Sequence, residues 1–204
     1  MRVPSRVLAK AVAHLGCSVP LIWLALDVLG SDLGPDPAEA VVRRLGFWGI
    51  TLLWCCLAMT PLRHITGKSI WIACRRLLGL WAFTCISLHL SAFLLFWSGA
   101  DTDVIAEEFV KRPYIALGLA GWILMIPLAA TSTQNARRSL GKRWLQLHRL
   151  VHVIALLGLA HLIWIEKLDY SKSITFSIIL IFLFFIRIRA RQRKAPSIEC
   201  ASSA

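Results

Sequence analysis

Long apolar stretches alternate with short polar segments along almost the whole chain. A membrane-spanning helix needs roughly 20 mostly apolar residues to cross about 30 Å of hydrocarbon. Six stretches reach or approach this length, at residues 11–29, 45–62, 77–98, 113–131, 147–165 and 173–188. Strands of a membrane barrel would instead alternate apolar and polar residues over about ten positions, a pattern that does not occur here. The pattern predicts an all-α integral membrane protein, a bundle of six transmembrane helices.

The charged residues are few and lie between these stretches or at their extreme ends. Only 17% of the 204 residues are charged and 57% are apolar, whereas about a quarter of a typical soluble domain is charged. The polar segments are too short to hold a soluble catalytic module, and no internal repeat is convincing. We therefore predict a single transmembrane domain over residues 1–194, followed by a disordered cytoplasmic tail at 195–204.

Positive charge is concentrated in every second polar segment. The N-terminus, the second-to-third loop, the fourth-to-fifth loop and the C-terminal tail together carry 17 Lys and Arg residues, opposed only by Glu199. The other three loops carry ten acidic and six basic residues. Because positively charged loops stay in the cytoplasm, both termini are predicted to be cytoplasmic.

The formal net charge of +12 could suggest nucleic-acid binding. The basic residues flank apolar stretches throughout, however, which is where they set topology and meet anionic lipid headgroups. We expect membrane lipids as partners and no binding of nucleic acid.

Two histidines lie well away from the cytoplasmic ends of the predicted spans, where an ionisable side chain is costly and is a functional candidate by default. His89 lies in the third span and His161 in the fifth. Both spans run from inside to outside, so the two residues share a depth in the outer half. Facing imidazoles are what the iron of a bis-histidine haem requires, and the absence of CxxCH means that a haem would be held without covalent attachment. The alternatives are buried, hydrogen-bonded histidines or a proton relay.

A third histidine, His148, precedes His161 by 13 residues. This separation is about 20 Å along a helix axis and places His148 at the inner face, but roughly 140° around a straight helix from His161. A distortion near Gly158 or laterally offset haems would be needed to align the two side chains. The matching inner positions of the third span hold Arg75 and Arg76, and arginine is not a normal iron ligand.

The remaining histidines have less specific positions. His152 lies one turn beyond His148 on a similar face, so it could replace His148 as a ligand or bond a haem propionate, but it could not oppose His148 across one iron. His14 and His64 lie near helix ends, where polar interfacial residues are common.

Several short runs carry a family resemblance. They are TSTQ at 131–134, RSLGKRW at 138–144, LHRLV at 147–151, RRLLGLW at 75–81, LHL at 88–90 and KRPY at 111–114. These runs resemble those of the MsrQ (YedZ) family, and the resemblance covers the whole chain in order. The family belongs with the ferric reductase-like transmembrane domains, a superfamily that includes NADPH oxidases.

The resemblance implies a haem b subunit in the bacterial inner membrane. Such a subunit passes electrons from the quinone pool or a cytosolic flavin reductase to a periplasmic molybdopterin reductase of the MsrP type. That partner, rather than this chain, would reduce methionine sulfoxide in oxidised proteins. FMN is also associated with the family.

The resemblance also bears on the candidate site residues. In the wider superfamily the third and fifth spans each carry two histidines, whereas this chain has His89, His148 and His161 and an arginine at the fourth position. One or two haems are therefore compatible with the sequence, and a flavin or quinone could occupy the inner side. The cations Arg75 and Arg76 would stabilise flavin phosphate or haem propionates.

Two other functions are compatible with the same residues. One is a stand-alone ferric or quinone reductase that acts without an MsrP-type partner. The other is a small transporter whose histidines relay protons.

Overall fold

The structure of the chain is a computed structural model that describes residues 5–166 and 170–192. Regular structure in these ranges is helical throughout, so the all-α prediction is confirmed. The disordered tail predicted at 195–204 lies outside the described residues. The helices are α1 (Ser5–Gly30), α2 (Pro37–Thr66), α3 (Ile70–Ala92), α4 (Thr102–Lys111), α5 (Tyr114–Ala130), α6 (Gln134–Leu140), α7 (Lys142–Leu147), α8 (Val151–Ile165) and α9 (Ser171–Gln192).

Two irregular turns adjoin these helices. A π-helical turn, Phe93–Trp97, continues α3, and a 3₁₀ turn, His148–Leu150, joins α7 to α8. Each of the six apolar stretches falls on a long helix or on such a continuation. The helices α4, α6 and α7 lie in segments where the apolar pattern predicted only loops.

Among the described residues, five continuous helical segments are long and apolar enough to cross a membrane. One of them, Lys142–Ile165, consists of α7, the 3₁₀ turn and α8. α5 has only 17 residues and qualifies together with α4, from which it is bent by 108°. The chain therefore has five candidate spans, or six if the bent pair counts as one. α4 carries ion pairs along its surface. Lys111 pairs with Glu107, and Arg112, which directly follows the helix, pairs with Glu108.

The outward surfaces of the long helices are apolar. Leu15 and Leu29 on α1 are 68% and 82% exposed, and Ile181 on α9 is 69% exposed. Soluble proteins rarely leave extended surfaces of this kind in water, so lipid is the medium that these faces fit. The chain is a multi-pass membrane protein.

The core is built around α2, which packs along α3. Leu57 of α2 and the facing Ala82 and Cys85 of α3 are fully buried. α9 closes another side of α2, where the buried indole of Trp54 donates to the backbone carbonyl of Phe176 at 3.0 Å. Small residues permit the close packing of α2 and α3, because a Cβ added at Gly49 would lie 2.6 Å from Cγ1 of Ile86.

We expect Gly49→Ala to destabilise the protein. Overpacking of this kind costs about 1–3 kcal/mol, which corresponds to a loss of several degrees in Tm for a chain of this size. Alanine is otherwise the better helix former, so the sign of the change is diagnostic. The measurement is the Tm of the purified protein in detergent. The matched control is Gly16→Ala on α1, where no atom lies within 4 Å of the added Cβ. A Tm for Gly49→Ala at or above the wild-type value would contradict the close packing.

Candidate functional site

His89 of α3 and His161 of α8 face each other inside the bundle. Their ring centroids are 6.3 Å apart, and the ring planes are nearly perpendicular, at 82°. Both side chains are half-buried. The two rings, which the sequence predicts at a common depth, therefore lie next to each other in the bundle.

The same kind of bond orients each ring. Nδ1 of His89 donates to the backbone carbonyl of Val42 on α2 at 2.8 Å, and Nδ1 of His161 donates to that of Tyr114 on α5 at 2.7 Å. A carbonyl can only accept, so Nδ1 carries the proton in both rings and Nε2 presents its lone pair. Histidines that bind metals commonly donate their other N–H in this way, which fixes the tautomer and raises the basicity of the ligating nitrogen.

Each ring packs against the backbone of a helix at a glycine. A Cβ at Gly46 would lie 3.0 Å from Nδ1 of His89, and one at Gly118 would lie 2.9 Å from Cε1 of His161. The two rings thus occupy the space that side chains at these positions would fill.

These contacts form a repeat that the sequence reading did not find. Each histidine follows the residue whose carbonyl it bonds by 47 positions. Val42, Gly46 and His89 of the first set are each 72 positions before Tyr114, Gly118 and His161 of the second. The hairpins α2–α3 and α5–α8 therefore present one imidazole each by the same construction. A search for a constant offset between identical glycines and histidines would have found the repeat.

The pair meets the requirements of two axial bonds to one haem iron. Metal–imidazole bonds are about 2 Å long, and each ring centre lies about one further ångström behind its nitrogen, so two such rings on one ion have centres about 6 Å apart. The observed 6.3 Å matches this separation. No group of three metal-binding side chains occurs among the described residues, and a porphyrin iron needs only two from the protein.

His148 lies apart from this pair, in the 3₁₀ turn before α8. Its Nε2 is 3.1 Å from the hydroxyl of Thr131, which itself donates to the carbonyl of Pro127 at 2.6 Å. The hydroxyl therefore accepts from His148, and Nε2 carries the proton in this arrangement. The ring of Trp144 stacks on His148 with centroids 3.9 Å apart, and the guanidinium of Arg137 lies over Trp144 at 5.6 Å.

The distortion expected near Gly158 occurs elsewhere. Gly158 lies within the regular helix α8, whereas the helical path changes at the 3₁₀ turn, which contains His148 itself. His148 is thus outside α8 and is oriented by Thr131 and Trp144 rather than by the helix that carries His161.

The two candidate arginines have different environments. Arg75 is half-buried and donates to the hydroxyl of Thr60 at 3.3 Å, while Arg76 is exposed. The repeat of 72 positions pairs Arg76 with His148. The repeat therefore has a histidine in both hairpins at the positions of His89 and His161, but in only one hairpin at the positions of Arg76 and His148.

His152 belongs to a packing contact between helices. Its Nδ1 donates to the carbonyl of Arg149 at 2.9 Å, and its Nε2 accepts from Arg187 of α9. Arg187 also donates to the carbonyl of Leu57 on α2 at 2.5 Å, so His152 takes part in the junction of α2, α8 and α9.

The remaining two histidines lie apart from the His89–His161 pair and from the surroundings of His148. His14 accepts from the indole of Trp81 at 3.0 Å, and His64 is exposed.

Comparison with known proteins identifies a family whose model covers most of the two hairpins. Residues 45–159, which run from within α2 to within α8 and leave out Val42 and His161, match the family described as the ferric reductase like transmembrane component. The chain is also 39% identical over 196 residues to the protein-methionine-sulfoxide reductase heme-binding subunit MsrQ of Rhodospirillum rubrum, covering 93% of this chain and 94% of that protein.

The two matches identify a class of protein and, within it, a family. The chain is a membrane protein with a ferric reductase-like transmembrane domain. Within that class it belongs to the MsrQ family.

Proposed function

We propose that this chain is the haem b electron-transfer subunit of a system that repairs oxidised methionine in periplasmic proteins. Electrons enter from the quinone pool or a cytosolic flavin reductase and leave to a molybdenum-dependent methionine sulfoxide reductase of the MsrP type. The observation that carries this proposal is the His89–His161 pair, with rings 6.3 Å apart and both Nδ1 atoms bonded to backbone carbonyls. The name of the Rhodospirillum rubrum relative supports both the haem and the reductase partner.

His89 and His161 are the proposed axial ligands of the outer haem. Haem b supplies a one-electron carrier whose potential depends on its axial ligands. The carbonyls of Val42 and Tyr114 hold each imidazole in the tautomer that offers Nε2. Each ring is partly buried against a neighbouring helix, His89 beside Gly46 and His161 beside Gly118.

His148 is the proposed contact for an inner group, which is a second haem, FMN or the quinone itself. Arg75 and Arg76 supply positive charge on the same side for a propionate, a phosphate or a quinone oxygen. Nε2 of His148 is bonded to Thr131, so iron ligation through Nε2 requires the proton to move to Nδ1 and the bond to Thr131 to be exchanged. We therefore propose an inner group that is bound more weakly than the outer haem, or by a replaceable ligand. His152 supports this region through its bond to Arg187.

The proposed topology has six spans with both termini in the cytoplasm of a bacterium, and the chain in the inner membrane. In this topology α5 is the fourth span, and α4, which is bent from it by 108°, lies on the outer surface. The basic residues of α6 and α7 then lie on the cytoplasmic side, where the donor arrives. Reduction of methionine sulfoxide takes place in the periplasmic partner.

We expect His89→Ala and His161→Ala each to remove the low-spin haem signal and to stop electron delivery. Each variant removes one of two axial bonds, and neither can be lost without exposing the iron. The measurement is the reduced-minus-oxidised visible spectrum of purified protein, with haem quantified per chain. His64→Ala is the matched control, because His64 is exposed and lies outside both sites. A full bis-histidine spectrum with normal turnover in either variant would show that the pairing is wrong.

The topology prediction uses a reporter fused after residue 194. We expect activity only from a reporter that works in the cytoplasm, because the basic loops lie on the same side as both termini. A second fusion, in the segment between α3 and α4, should be active only in the periplasm. Periplasmic activity of the C-terminal fusion would reverse the inner and outer sites.

We expect His148→Ala to lower the content of the inner cofactor or to slow reduction by the cytoplasmic donor, while the outer haem stays spectrally intact. His152→Ala should mainly lower Tm, because it leaves Arg187 with one fewer acceptor at a helix junction. Haem and FMN content, the donor-driven reduction rate and Tm are measured in both variants. A severe cofactor loss in His152→Ala with His148→Ala unaffected would make His152 the ligand.

A further inference from the structure

The two glycines beside the histidine rings occur at equivalent places in the two hairpins. Gly46 is four residues after Val42, and Gly118 is four residues after Tyr114. In an α-helix the N–H of residue i+4 bonds the carbonyl of residue i. The carbonyls of Val42 and Tyr114 therefore each accept a helical bond from a glycine N–H. Each also accepts a second bond, from a histidine Nδ1–H, on its other lone pair.

Helix geometry explains why these positions are glycine. A helical side chain points towards the N-terminus and covers the turn that precedes its own Cα. A side chain at position i+4 therefore lies over the carbonyl of residue i. At Gly46 and Gly118 that cover is missing, so a neighbouring imidazole can reach a carbonyl that already belongs to a helix.

The available space agrees with this explanation. A Cβ at Gly46 would be 3.0 Å from Nδ1 and 3.1 Å from Cε1 of His89. A Cβ at Gly118 would be 2.9 Å from Cε1, 3.0 Å from Nδ1 and 3.4 Å from Nε2 of His161. The helix backbone cannot retreat without disturbing its packing, whereas the imidazole is the mobile end of its side chain. The ring is therefore what must move.

We propose that Gly46 and Gly118 are positioning residues for the two axial imidazoles. By leaving the carbonyls of Val42 and Tyr114 uncovered, they fix the tautomer and the near-perpendicular orientation of His89 and His161. This inference rests on the proposed role of the two histidines as haem ligands. It assigns a function to two residues that never touch the iron.

The electronic consequence follows from the ring orientation and the carbonyl bonds. Two axial imidazoles with perpendicular planes give ferric low-spin haem a more anisotropic EPR spectrum than two parallel ones, because the ligand field then has no single preferred in-plane axis. The bond from Nδ1–H to a carbonyl raises the basicity of the ligating nitrogen and thereby stabilises the ferric state. A displaced ring loses both effects.

The test is a set of purified variants, Gly46→Ala and Gly118→Ala, with Gly16→Ala as the matched control. We expect the largest g value to decrease and the midpoint potential to rise in both site variants, with a larger shift for Gly118→Ala because its added Cβ is closer to the ring. Haem content per chain should fall in the same order. Gly16→Ala should match the wild type in all three measurements, since nothing lies within 4 Å of its added Cβ.

The outcomes separate this inference from the ligand assignment. An unchanged EPR spectrum and potential in both glycine variants, with His89→Ala losing its low-spin signal, would overturn the positioning role alone. Retention of the bis-imidazole spectrum in His89→Ala would overturn the ligand assignment instead. If only Gly118→Ala fails to accumulate, Gly46→Ala decides the question. Failure of both variants to fold would also contradict the proposal, since it would indicate that the glycines serve helix packing in general.

Discussion

The bond between an imidazole N–H and the carbonyl of a neighbouring helix is the interaction on which the arrangement of the bundle depends. A histidine inside a membrane must satisfy its polar atoms without water, and helical carbonyls are nearly all engaged already. The carbonyls of Val42 and Tyr114 each accept a second bond from His89 and His161. These bonds join α3 to α2 and α8 to α5, and they leave Nε2 of each ring with its lone pair.

The two similar hairpins present the same residue type at one pair of equivalent positions and different residue types at another pair. His89 and His161 are equivalent under the repeat, whereas His148 corresponds to the exposed Arg76. The first pair therefore has two imidazoles oriented by the same kind of bond. The other region has one histidine, stacked on Trp144, together with Arg75 and Arg76. Under the proposed function, this difference corresponds to a strongly held haem at the first pair and a more exchangeable group near His148.

The sequence predicted the helical class, the apolar segments and the pairing of His89 with His161, because these follow from segment length and from the depth of a residue in its span. It did not predict the 108° bend between α4 and α5 or the 3₁₀ turn at His148. The 3₁₀ turn is accompanied by tertiary contacts, the bonds of His148 to Thr131 and of Trp144 to the backbone. The bend falls at Arg112, whose backbone is restricted by the proline that follows it. Gly46 and Gly118 were missed because a glycine in an apolar helix has no chemistry of its own. Only the placement of a ring beside it reveals its role.

The central claim is that one haem iron is bound between His89 and His161 within this single chain. The measurement that tests it most directly is a redox-titrated visible and near-infrared spectrum of the purified wild-type protein, with haem and protein quantified together. We expect at least one haem per chain, low-spin in both oxidation states, with the charge-transfer signature of two imidazole nitrogens on the ferric iron. A colourless protein, or a haem that is high-spin with a single axial nitrogen in the intact chain, would contradict the claim.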